Sequence, residues 1–296
     1  PFRDPFNYVF DPMIPIGIEQ VGTAMHARLI SKGMGGSAMR SAAPYSTWWN
    51  GGMRTATYFH NQIGLLTEII GNPTPMAVPL IAEKQLPTGD WPLPIKPQVW
   101  HYRQSIDYMI EVERAVMDYA SRNRETLLYN IYGMGKRSIE RGSKDSWTIT
   151  PKRINALTEA AKAAAPDEAP AAGRGRRGGA ASAASENPFY VPSLPSELYE
   201  KVLNDPAYRD PRGYIISAAQ DDFATAVKFI NVLLKHGVDV HKATAAFTVA
   251  GKNYPAGSYV VKTAQAFRPA VLDMFEAQDH PMDFAYPGGP PKRPYD

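Results

Sequence analysis

Apolar residues fall along this chain in short blocks punctuated by glycine and proline, and each block has its own period. From Ile18 to Lys32 they recur at helical spacing and stop at Gly33, which predicts a helix closed by a glycine. Residues 62–70, Gln-Ile-Gly-Leu-Leu-Thr-Glu-Ile-Ile, form a short apolar run ended by Gly71-Asn72-Pro73. Its length and flanks predict a strand buried on both faces. Pro73, Pro75, Pro79, Pro87, Pro92, Pro94 and Pro97 then impose irregular surface structure. Val99 to about Glu140 reads as one long helix, with Gly133 and Gly135 as its weakest point. Ile106, Ile110, Ala120, Leu127, Leu128 and Ile131 make up most of its apolar face.

The second half opens with a strand at 213–217, followed by a helix capped by Asp221 or Asp222 and ended by Gly237. A second strand is expected over 238–242. Residues 247–250 and 258–262 are expected to pair as a hairpin around 251–257, with a further helix over 264–276. Strand, helix, strand and hairpin in that order begin an α/β layer fold.

Between the halves, about 155–187 changes composition from Ala-rich to Ala/Gly/Arg-rich. Such a stretch buries too little apolar surface to offset its ordering entropy and reads as a flexible linker. The expected organisation is therefore 1–154, a linker over 155–187, and a partial second α/β domain over 188–296. Beginning at Pro1 without a leader and ending in a proline-rich run, the chain is expected to be part of a longer protein.

Composition narrows the classes. A chain of 296 residues with 44% hydrophobic content suits two globular units. No run approaches the roughly 20 apolar residues of a membrane helix. Arg174, Arg176 and Arg177 equal the whole net charge of +3, so the remainder is near neutral and nucleic acid is not an expected partner. The absence of cysteine excludes disulfides, thiolate metal sites and cysteine nucleophiles.

Candidate chemistry centres on Glu68. A carboxylate within Ile-Gly-Leu-Leu-Thr-Glu-Ile-Ile is costly to bury alone. It is either a general base whose pKa burial raises, or a structural acid paired with Arg54 or Arg103; both readings stand. The six histidines form no H-x-x-E, H-E-x-x-H or H-x-H pair. His60, eight positions before Glu68, is expected as a hydrogen-bonded residue near the pocket. A three-ligand site of His60, Glu68 and His101 would need the fold to bring His101 in. His26 and His236 fit helix capping. There is no G-x-S-x-G elbow. Tyr-Ser-Thr-Trp-Trp-Asn-Gly-Gly, residues 45–52, fits the wall of a substrate cleft or an aromatic core corner.

Residues 45–55 (Tyr-Ser-Thr-Trp-Trp-Asn-Gly-Gly-Met-Arg-Thr) and 60–68 (His-Asn-Gln-Ile-Gly-Leu-Leu-Thr-Glu) resemble a bacterial branch of the zinc carboxypeptidases, the carboxypeptidase A-like family. Residues 100–108 and 130–143 resemble the same branch, and 248–262 resembles its appended amidotransferase-like domain. The resemblance implies the C-terminal part of a mixed-sheet carboxypeptidase domain, then a partial flavodoxin- or amidotransferase-like domain without amidotransferase chemistry. It implies Glu68 as the base acting on a zinc-bound water and Tyr45, 23 positions earlier, as the mobile tyrosine that hydrogen-bonds substrate, with Tyr58 as the alternative. Met53 would line the side-chain pocket, beside Arg54 and His60 as candidate substrate-binding residues. Zinc is implied for the parent protein, with every ligand expected upstream of Pro1, so this chain alone is expected to be inactive. The implied function is removal of C-terminal residues from peptides in the periplasm or outside the cell. A non-catalytic relative binding peptide or cell-wall material through Trp48 and Trp49 is the alternative, and a purely structural or interaction module is a third.

Overall fold

Asp11 accepts a hydrogen bond from the amide of Met13 at 3.0 Å and opens the first helix, α1, Met13–Ser31. The helix starts five residues before the expected Ile18, because Pro15 falls in its first turn, where a missing N–H costs nothing. Gly33, with φ of +68°, ends it. The computed structural model describes residues 3–39, 42, 45–164 and 194–295. It forms two units, one made of 1–144 with 211–296 and the other of 145–210.

In the first unit, a one-turn helix α2 (Met53–Ala56) leads into a turn over Tyr58–His60. The strands β1 (Met76–Val78) and β2 (Gln98–Trp100) pair antiparallel across the proline-rich stretch. Helices α3 (Tyr102–Arg122) and α4 (Arg124–Ser143) replace the single long helix. The break falls at Asn123, whose amide and side chain both bond the Tyr119 carbonyl, and not at Gly133 or Gly135. Those positions serve packing: a Cβ on Gly135 would touch Ala266, and one on Gly142 would strike the Thr263 carbonyl. With the helix split, its expected face does not continue. Ile110, Ala120, Leu128 and Ile131 are exposed, while α3 packs Val112, Ala115, Val116 and Tyr119 against Val21 and Met25 of α1.

The rest of this unit holds β3 (Gly213–Ile216), α6 (Phe223–Lys235), β4 (His241–Lys242), β5 (Phe247–Val249), β6 (Lys252–Tyr254), β7 (Tyr259–Lys262) and α7 (Arg268–Phe275). Helix α6 is capped by Asp222, which accepts from the amide of Thr225. Strand β7 lies between β3 and β4, antiparallel to both, so β3 and β4 run parallel to each other on its two sides. The expected hairpin pairs differently. Ala250 and Gly251 both take positive φ, so β5 turns tightly into β6, and β7 is freed for the three-stranded sheet. Leu233, Val238, Val261 and Val271 are its buried centre. A second cluster gathers Phe10, Ile14, Ile18, Tyr58, Phe59, Met134 and Ala270.

The second unit contains α5 (Pro151–Ala164) and a turn over Tyr199–Leu203. Asp210 accepts from the amide and hydroxyl of Thr148, and Trp147 donates to the Asp205 carbonyl. The Ala-rich start of the expected linker, 155–164, is helical; its remainder, with Arg174, Arg176 and Arg177, lies outside the described residues. The described chain is thus a mixed α and β protein with more helix than strand and small antiparallel sheets. No helix among the described residues is long and apolar enough to cross a membrane.

Candidate functional site

Residues 62–70 do not form the expected strand. They belong to no helix and to no ladder, and at Gly64 the chain passes so close over the Arg54 carbonyl that a Cβ would strike it. Without a neighbouring strand the segment is only half covered. Leu65, Leu66, Ile69 and Ile70 are half-buried, while Thr67 and Glu68 are exposed. Glu68 is therefore not the enclosed carboxylate that the apolar run suggests.

A cavity of about 430 Å³ lies against this segment, lined by Leu65 through Ile70, by Met25, His26 and Leu29 of α1, and by Tyr108 and Val112 of α3. Tyr45 lines it as well, so two candidate residues 23 positions apart meet at one hollow. Glu68 has no ion-pair or hydrogen-bond partner among the described residues. Of the two arginines considered for it, Arg54 donates to the Ser46 carbonyl at 2.8 Å and lies over the Tyr45 ring, and Arg103 pairs with Asp107. The Tyr108 hydroxyl donates to the Gly35 carbonyl at 2.8 Å, and burial raises its pKa.

The other candidates lie elsewhere. Met53 is 94% exposed and does not line the cavity. His60 sets Nδ1 against the Ala56 carbonyl (2.6 Å) and Nε2 against the His236 carbonyl (2.9 Å), with its ring edge-on to Phe267. It therefore ties the turn after α2 to the end of α6. Tyr58 is buried and donates to the Gly64 carbonyl. His101 accepts at the N-terminus of α3. In the aromatic loop, Trp48 is 2% exposed, packs edge-on against Tyr8 and His280 and donates to the Pro5 carbonyl, whereas Trp49 is half exposed. Trp48 is thus a core corner.

Two groups emerge only from the fold. His26 shares the α1 face of Gly22, Met25 and Leu29; its Nδ1 is buried without a partner among the described residues, and burial lowers its pKa. Asp273 on α7 is buried among three amides, accepting from Asn7 and Gln278 at Oδ1 (both 3.0 Å) and from Asn50 at Oδ2 (2.8 Å). Burial raises its pKa, with those hydrogen bonds opposing the rise.

A catalytic zinc takes three protein ligands and leaves one position open. Among the described residues, the cavity wall offers only His26 and Glu68 of the ligating residue types. No group of three or more His, Cys, Asp or Glu side chains that could hold a metal ion occurs among the described residues. The described residues therefore form no zinc site by themselves, and the resemblance places every ligand upstream of Pro1. Comparison with protein-family models, with curated proteins and with solved structures returns no match.

Proposed function

We propose that this chain handles peptides at the cavity beside Glu68 and Tyr45, as part of a carboxypeptidase-like hydrolase acting at peptide C-termini. The observation that carries the reading is the meeting of these two residues on one wall, with Glu68 unpaired among the described residues. An exposed carboxylate at the rim of an apolar hollow can take a proton from an attacking water and return it to a leaving amine. Tyr45 can hydrogen-bond the substrate from the same side. The apolar side chains of Met25, Leu29, Leu65 and Val112 suit an uncharged side chain of the substrate. The finer assignment follows from the same resemblance: a zinc carboxypeptidase half-domain, an appended amidotransferase-like domain and an exported location.

The test is release of C-terminal residues from short peptides by the complete protein and its Glu68→Gln variant. A base role predicts a fall in kcat of about 10²- to 10⁴-fold with little change in KM. Full activity in Glu68→Gln would overturn the assignment. Peptide binding without hydrolysis in the complete protein would instead favour the non-catalytic relative.

A further inference from the structure

Asn50 is followed by Gly51, and no other asparagine in the chain precedes a glycine. The pair lies in the turn that the Gly52 amide closes by donating to the Trp49 carbonyl at 3.3 Å. Gly51 is exposed, and its own amide donates to no atom of another described residue. A Cβ on Gly51 would come within 2.9 Å of Trp49 Nε1, so a larger residue would have to displace the indole. The side-chain carbonyl carbon of Asn50 is thus followed by an unhindered, unbonded main-chain nitrogen, held where the two can close a five-membered imide.

The amide of Asn50 also has a part in the fold. Its Nδ2 donates to Asp273 Oδ2 at 2.8 Å and lies 3.6 Å from Met274 Sδ. The two other donors to Asp273, Asn7 and Gln278, both reach Oδ1, so Asn50 is the donor that Oδ2 has among the described residues. Exchanging this NH2 group for oxygen would set a second carboxylate at hydrogen-bond distance from the first, and two such groups cannot both stay ionised. Burial already disfavours charge on Asp273, and no lysine or arginine pairs with it among the described residues. His280, edge-on to Trp48, is the other titratable group of this corner.

We propose that Asn50 is a site of spontaneous modification, where loss of its amide turns an anchor of the aromatic loop into a repulsive contact with Asp273. Gly51 N gives its proton to hydroxide and bonds to Cγ of Asn50. The Cγ–Nδ2 bond then breaks, and Nδ2 leaves as ammonia with a proton from water. Water opens the imide at either carbonyl, giving aspartate or isoaspartate. The sum is amide plus water to carboxylate plus ammonium. The hydrogen bond to Asp273 restrains the amide and slows the step in the folded chain. The conversion runs one way, so it acts as a timer on the loop. It is independent of any chemistry at Glu68.

Peptide mapping by mass spectrometry of the full chain, aged at neutral and at alkaline pH, tests it. Asn50 should convert ahead of every other asparagine, faster at the higher pH, and yield both aspartate and isoaspartate. Asn50→Gln should stay intact at this position, because its longer side chain closes the ring poorly. Unfolding in urea, or Asp273→Ala, should speed conversion of Asn50 roughly tenfold by removing one charge-assisted hydrogen bond. Asn50→Asp stands for the product. At pH 7 it should unfold at lower urea concentration than the wild type. The gap should narrow as pH falls toward 4, because the folded pair then shares a proton that the unfolded chain holds less tightly. An intact Asn50 after other asparagines have converted would overturn the proposal. So would an unchanged rate in both urea and Asp273→Ala, or Asn50→Asp unfolding together with the wild type at every pH.

Discussion

Asn50 donates from Nδ2 to Oδ2 of Asp273 at 2.8 Å, joining the tip of the Trp-Trp-Asn-Gly-Gly loop to a helix 223 positions away. The same carboxylate accepts from Asn7 and Gln278, and Gln278 also donates to the Trp48 carbonyl. One buried acid therefore holds the N-terminal segment, the aromatic loop and α7 together. Asp273→Ala leaves these amides short of an acceptor and should destabilise the protein by about 1–3 kcal/mol in urea unfolding.

The pH dependence of that acid has a definite sign. Burial raises the pKa of Asp273 in the folded state above the ordinary carboxylate value of about 3.9. Between the two values the folded state binds more protons than the unfolded, so its contribution to stability rises as pH falls through the raised value. Asp273→Asn cannot titrate. The stability of the wild type relative to Asp273→Asn should therefore increase as pH is lowered from 7 toward 4, in denaturant curves at each pH. A constant difference would remove the argument.

His26 works in the opposite direction. Its folded pKa lies below the unfolded value of about 6.5 because burial disfavours the imidazolium. Below that value the unfolded chain takes up a proton that the folded chain resists, so stability is lost as pH falls through 6.5 toward the lowered value. His26→Gln should flatten this part of the profile. Parallel profiles for the two proteins between pH 8 and pH 5 would show that His26 does not titrate differently on folding.

Gly142 lets α4 lie directly against the backbone at Thr263 and Ala264. Gly142→Ala improves helix propensity by about 1 kcal/mol yet forces a methyl onto the Thr263 carbonyl. The steric term should win, with a net loss of about 1–3 kcal/mol in stability. A rise in Tm on this substitution would mean that the two segments are further apart than described.

Helices α1, α6 and α7 were legible in the sequence to within a few residues, whereas α3 and α4 read as one helix and most of α5 read as linker. Gly33 and Asp222 are local signals and mark helix ends as expected. Pro15 concealed the true start of α1, because proline is a breaker inside a helix and neutral in its first turn. The Ala250-Gly251 turn lacks the Asn-Gly signature of a tight hairpin, so β5 was assigned the wrong partner. The apolar run 62–70 predicts a strand buried on both faces, yet it forms none and exposes Thr67 and Glu68, because whether a strand finds a neighbour is a property of the whole fold. Asp273 sits in Ala-Val-Leu-Asp-Met-Phe, and nothing nearby announces partners at positions 7, 50 and 278. Tyr45 and Glu68 could be picked out by their flanks. That His26 would join them at the cavity required knowing which face of α1 turns toward the segment.

The structural account of the cavity wall rests on residues 63–70 lying outside every helix and sheet, with no main-chain amide donating to another described residue. Amide hydrogen exchange on the free protein measures this directly. The account predicts that amides 63–70 exchange close to the rate of an unstructured peptide, while those within α1 and α3 are strongly protected. Protection of 63–70 comparable to that of α1 would show these amides already hydrogen-bonded and would contradict it.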